Sequence, residues 1–179
     1  MKRLAGVAAA LLMAAACGSD NNTPPTNPSN NTGPITFTAN LAAANEVPAV
    51  QGAEANAAGT ATITMNVTRD AATGNITGGG TLNFSASLRS FPGGTAINAA
   101  HIHAAPAGQN AGVFIGVTGI SAATPVVMDG SGAGAINVSN VAVTQDQATQ
   151  IFNNPAGFYF NVHTTANSGG AARGQLTKQ

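Results

Sequence analysis

From Ile35 onward, apolar and polar residues alternate in runs of strand length, and turns bearing glycine or proline separate the runs. In "ITFTANL", Ile35, Phe37, Ala39 and Leu41 oppose Thr36, Thr38 and Asn40. In "TATITMNVTRD", Ala61, Ile63, Met65 and Val67 form one face, and in "TLNFSASLRSF" Leu82, Phe84, Ala86 and Leu88 do the same. A period of two puts alternate side chains on opposite faces of an extended chain, so each run predicts a strand with one buried face. "DAATG" (Asp70 to Gly74) joins the last two runs as a turn, which predicts a hairpin. Further strands are expected at Ile97–His103, Val113–Val117, Gly134–Val138, Phe158–Thr164 and Arg173–Lys178.

One helix interrupts this pattern. "TQDQATQIFNNP" opens with Thr144 and carries Gln147 three residues later, the spacing of a capping box. Ala148, Ile151 and Phe152 then share a face, and Pro155 ends the segment. About eight short strands and a single short helix predict an all-β fold, an antiparallel Greek-key sandwich or barrel.

Ahead of this domain the chain is different in kind. "MKRLAGVAAALLMAAACGSD" has Lys2 and Arg3 before an apolar run too short for a permanent membrane span, the pattern of a secretory signal over residues 1–16. The only cysteine, Cys17, follows "AAA" and resembles the lipidated cysteine of a bacterial lipobox. Residues 18–34 contain no aliphatic or aromatic side chain, so with Cys17 they are expected to form a lipidated, disordered tether with a reach of at most about 50 Å. The expectation is an extracytoplasmic protein of the cell envelope, periplasmic or at the surface, held to the membrane through Cys17. Beyond the signal, Arg69, Arg89, Arg173 and Lys178 stand against Asp20, Glu46, Glu54, Asp70, Asp129 and Asp146. With no basic patch, nucleic acid is not an expected partner.

The chain has three histidines, and strand parity groups them. In "INAAHIH", Ala100 and Ile102 oppose His101 and His103; in "FYFNVHT", Phe158, Phe160 and Val162 oppose Tyr159, Asn161 and His163. All three imidazoles therefore face away from the apolar core. His101 and His103 lie on one face with Cα atoms about 7 Å apart, close enough to converge on one ion. If the two strands are neighbours, the three imidazoles form a nitrogen site suited to zinc or copper, with Glu46, Asn161 and Gln175 as candidate acceptors behind them. The alternative is a hydrogen-bonded polar cluster that joins strands and takes no ion, and it is the reading preferred on sequence alone.

The set "NEVP" (Asn45–Pro48), "AHIH" followed by Pro106, "FNVHT" (Phe160–Thr164) and "GGAARGQL" (Gly169–Leu176) resembles the CHRD (chordin) domain, in order and spacing, from Thr36 to Leu176. Ala49 and Ala172 depart mildly from that pattern. The resemblance implies an extracytoplasmic all-β domain over residues 35–179, found in secreted bacterial proteins and in an animal growth-factor antagonist, with no settled catalytic activity. Glu46 and Arg173 sit in the shared motifs of a nearly uncharged chain and are expected to pair, joining the first strand region to the last. No nucleophile elbow, paired catalytic carboxylates or calcium loop is visible. The sequence therefore points to a non-catalytic binding or structural module whose partner is an envelope protein or a polysaccharide, with a three-histidine metal-binding protein as the alternative.

Overall fold

The computed structural model describes residues 32–179. The expected signal, Cys17 and nearly all of the expected tether lie outside the described residues. Ten strands and one α-helix follow: β1 (Ile35–Ala42), β2 (Ala58–Arg69), β3 (Ile76–Arg89), β4 (Ala96–His103), β5 (Val113–Gly116), β6 (Val126–Val127), β7 (Gly134–Val143), α1 (Gln145–Asn153), β8 (Tyr159–Thr164), β9 (Ala172–Gln175) and β10 (Thr177–Lys178). They make a single antiparallel sheet in the order β5-β4-β8-β9-β1-β2-β3-β7, with β6 added beside β4 and β10 beside β1. The pairings β4/β8, β3/β7 and β1/β9 join strands distant in sequence, as in Greek-key connections.

The sheet curls into a near-barrel because its apolar residues all need the same interior. Phe84 of β3 and Phe160 of β8 stack with centroids 5.7 Å apart, although β9, β1 and β2 lie between their strands. The alternating residues Phe37, Ile63, Met65, Leu82, Ile102 and Val162 are buried in this interior. The β2–β3 hairpin turns where expected: Asp70 Oδ1 accepts from the backbone N–H of Ala72 and Thr73 and from the Thr73 hydroxyl. The capping box of α1 is complete, with Thr144 Oγ1 accepting from Gln147 N and Gln147 Oε1 accepting from Thr144 N. The same Gln147 donates through Nε2 to the Phe114 carbonyl and so fastens α1 to β5.

Two elements differ from expectation. The single strand expected at Arg173–Lys178 is two strands, because Leu176 turns into the core and its N–H donates to the Phe158 carbonyl. Before that point β9 pairs with β8, and after it β10 pairs with β1. Strand β7 runs five residues past its expected end, carried across an irregularity at which Asn140 adopts a positive φ and donates its N–H to Asn83 Oδ1.

The larger correction concerns the face of β4, β8 and β9 that points away from the barrel. Its parity is as expected, but it is not open to solvent. Every residue of β8 is buried, Tyr159, Asn161 and His163 included. Chain segments around residues 43–54, 104–112 and 165–171 cover it, and their backbone groups bond to its side chains. The sheet thus separates an apolar interior from a thin polar layer under loops.

Candidate metal centre

The register of β4 against β8 sets the three histidines together. His101 lies opposite Asn161, His103 opposite Tyr159, and His163 opposite Ala99. The pairing of β4 with β5 shifts between Ile102 and His103, where Phe114 is the extra residue on β5. One ligand nitrogen from each of His101, His103 and His163 lies within 4.8 Å of the other two. Two nitrogens bound to a tetrahedral zinc stand about 3.3 Å apart, so small side-chain shifts bring the set onto one ion.

Hydrogen bonds assign the protons. His163 Nδ1 is 3.0 Å from the Ser168 carbonyl, which can only accept, so Nδ1 carries the hydrogen and Nε2 the lone pair. His103 Nδ1 is 3.0 Å from the Ala111 carbonyl, which leaves its Nε2 as the lone-pair nitrogen by the same reasoning. That Nε2 is buried and has no hydrogen-bond partner among the described residues. His101 Nδ1 is 2.9 Å from His163 Nε2, and it must be the donor because the acceptor there is already fixed. Two lone-pair ring nitrogens therefore lie in one cluster, each in a tautomer fixed by a backbone carbonyl: His103 Nε2, unpartnered among the described residues, and His163 Nε2, which accepts from His101. This is the usual outer arrangement of metal-binding histidines.

All three imidazoles are held neutral. Burial, followed by the neighbouring His163 and His103, pushes His101 down to about 4. Burial also lowers His103, against hydrogen bonds from its Nδ1 to the covering loop, and lowers His163. Neutral imidazole is the form that binds a metal.

The candidate acceptors behind the histidines are not the ones expected. Gln175 Nε2 instead donates to the carbonyls of Ala105, Ala156 and Phe158, clamping loops to β9. Asn161 is 1% exposed, and its Oδ1 has no partner among the described residues. Glu46 belongs to a neighbouring ion pair. The carbonyls that do orient the rings belong to Ala111 and Ser168, whose side chains say nothing about that role.

The expected Glu46–Arg173 pair exists but is looser than a two-pronged bridge. Arg173 Nε and Glu46 Oε2 are 3.7 Å apart. The close hydrogen bonds of the guanidinium go elsewhere: to the Asn45 carbonyl at 2.7 Å, the Gln109 carbonyl at 3.1 Å and Asn110 Oδ1 at 2.7 Å. With Asn45 Nδ2 donating back to the Arg173 carbonyl, the two residues join the loop after β1 to β9, as the shared motifs implied. The Arg173 guanidinium also lies 4.5 Å over the Tyr159 ring, and that ring stacks on His103 at 4.8 Å. Glu46 is 6% exposed, and burial pushes its carboxyl up to about 7 against the lowering pull of Arg173. Gly170 packs against Glu46 and Asn161 so closely that a Cβ there would sit 2.6 Å from Glu46 Oε2.

The family model of the CHRD domain matches residues 37–176. The chain belongs to the CHRD domain family. No curated protein matches it. Within this CHRD domain the four motifs that carried the resemblance meet at one place: Glu46, the histidines of β4 and β8, and Arg173 all lie in the polar layer. Sequence reasoning missed Glu54, which accepts from the Thr164 hydroxyl at 2.8 Å and Asn167 Nδ2 at 2.7 Å and fixes the loop that carries Ser168. Its one signal was a carboxylate in a chain that is 7% charged.

Proposed function

We propose that this CHRD domain is a metal-binding module that holds a zinc or copper ion on His101, His103 and His163. The observation that carries the reading is the pair of buried ring nitrogens whose tautomers are fixed by the Ala111 and Ser168 carbonyls. A cluster serving only to join strands has no need of a buried, unpartnered lone pair such as His103 Nε2, because leaving one unsatisfied costs about 1–3 kcal/mol. Three imidazoles and no thiolate suit Zn²⁺ or Cu²⁺ and leave a fourth position for water or another small ligand. Calorimetric titration of metal-free protein with Zn²⁺ and Cu²⁺ tests this. One ion bound per chain, lost in His103→Ala and His163→Ala, supports it; absence of binding together with lower melting temperatures for both variants refutes it.

The leader pattern and Cys17 support displaying this module outside the cytoplasm on a lipid anchor, as a non-catalytic component of the cell envelope. Partition with membranes, abolished by Cys17→Ser with export intact, checks the anchor. A wild-type protein recovered free in the medium with an unmodified N-terminus overturns it.

A further inference from the structure

The three imidazoles are not equivalent, and the difference bears on how an ion would enter and leave. His103 and His163 are buried, and each is tied through Nδ1 to a covering loop. His101 is half-buried, and among the described residues no carbonyl orients it. Its one hydrogen bond among them runs from Nδ1 to His163 Nε2, the nitrogen on which an ion would sit. The His101 N–H thus points at the position an ion would take, and an ion held on His163 Nε2 displaces that contact. Across the ladder from His101 stands Gly116 of β5, an exposed residue without a side chain. A Cβ at Gly116 would come 3.9 Å from His101 Cδ2, so the glycine leaves free the space beside the ring.

We propose that His101 is the exchange ligand of the centre: it swings away over Gly116 to admit or release the ion, while His103 and His163 form a fixed two-nitrogen seat. The inference rests on the metal-binding reading above and extends it, since it makes the ion a cargo to be passed on. The bound state uses all three imidazoles, and the transfer state uses two. A solvent-side ligand that leaves first lets an incoming donor from a chelator or a partner protein take its place before the buried pair lets go.

The test loads wild-type protein with one equivalent of Zn²⁺ and follows transfer to a chromophoric chelator by stopped flow. Co²⁺ absorption reports the number of ligands. His101→Ala should still bind one ion, with affinity reduced about a hundredfold when the free energy of a four-ligand site is shared equally among its ligands, and should release it faster. His103→Ala and His163→Ala should lose stoichiometric binding. Gly116→Val keeps every ligand and walls the His101 ring, so it should slow transfer several-fold while leaving the affinity within about tenfold of wild type. Equal losses in all three histidine variants, or a Gly116→Val protein that transfers at the wild-type rate, would overturn the proposal and leave the metal centre standing. A wild-type protein that takes up no ion removes the centre and this inference together.

Discussion

Glu46→Gln isolates one buried carboxyl from the rest of the polar layer. The Glu46 carboxyl is raised from 4.5 to about 7, mainly by burial. Below pH 4.5 the folded and unfolded chains both hold the proton. Between 4.5 and about 7 only the folded chain holds it, so its stabilising contribution is lost as pH rises through that window. At about 1.4 kcal/mol per tenfold difference in proton affinity, the full effect is about 3 kcal/mol. The buried imidazoles run the other way: their affinities are lowered, so their contribution is present above 6.5 and lost as pH falls, through about 4 for His101. In the wild type the two slopes oppose each other from 6.5 down to 4.5. Glutamine keeps the shape and removes the titration, leaving the histidine slope unopposed. Urea unfolding in the presence of a chelator, at steps from pH 8 to 4.5, should show the variant losing stability on acidification more steeply than wild type. Their difference should change by about 2–3 kcal/mol over that range. The level of the variant's curve also reflects Arg173 losing its charged neighbour, so the slope is the readout. Parallel curves for the two proteins would refute the assignment of a proton to Glu46.

Three other outcomes follow from the same contacts. Phe160→Ala and Tyr159→Ala should each cost about 3–5 kcal/mol by chemical denaturation, because Tyr159, at 2% exposure between His103 and Arg173, is as buried as its core-facing neighbour; a Tyr159 variant close to wild type would mean the polar layer is open. Gly170→Ala should lower the melting temperature, since φ is 142° there and a Cβ meets Glu46 and Asn161; an unchanged melting temperature would contradict that packing. Saturating Zn²⁺ should raise the melting temperature of wild type, by about 2.7 kcal/mol of stability at a hundred times the dissociation constant, and should not raise that of His163→Ala.

Much of the fold was legible because strand parity and turn residues are local. The β2–β3 hairpin, the capping box of α1 and the shared face of His101, His103 and His163 all follow from spacing along the chain. The covering of that face was not legible. Parity tells which side of a sheet a residue takes, and it is silent on whether a loop lies above it. Asn45, Gln109 and Asn110 close over Arg173 from positions 63 to 128 residues away, a separation no local pattern encodes. The groups that orient the imidazoles were illegible for a different reason. Ala111 and Ser168 act through their carbonyls, and every residue has one.

The split of the last strand at Leu176 has a consequence for how the chain is made. Strands β9 and β10 fill the gap between β8 and β1, and the Gln179 N–H bonds the Thr36 carbonyl. The seam of the barrel is thus closed by residues 172–179, which leave the ribosome after every other strand. Until they emerge, β1 and β8 each lack a neighbour, and Arg173 is not yet there to draw the loop after β1 over the histidines. Hairpins such as β2–β3 can form early, but closure waits on pairings across most of the chain's length, a topology associated with slow folding. A growing chain of this sequence keeps an open seam until residues 172–179 have emerged.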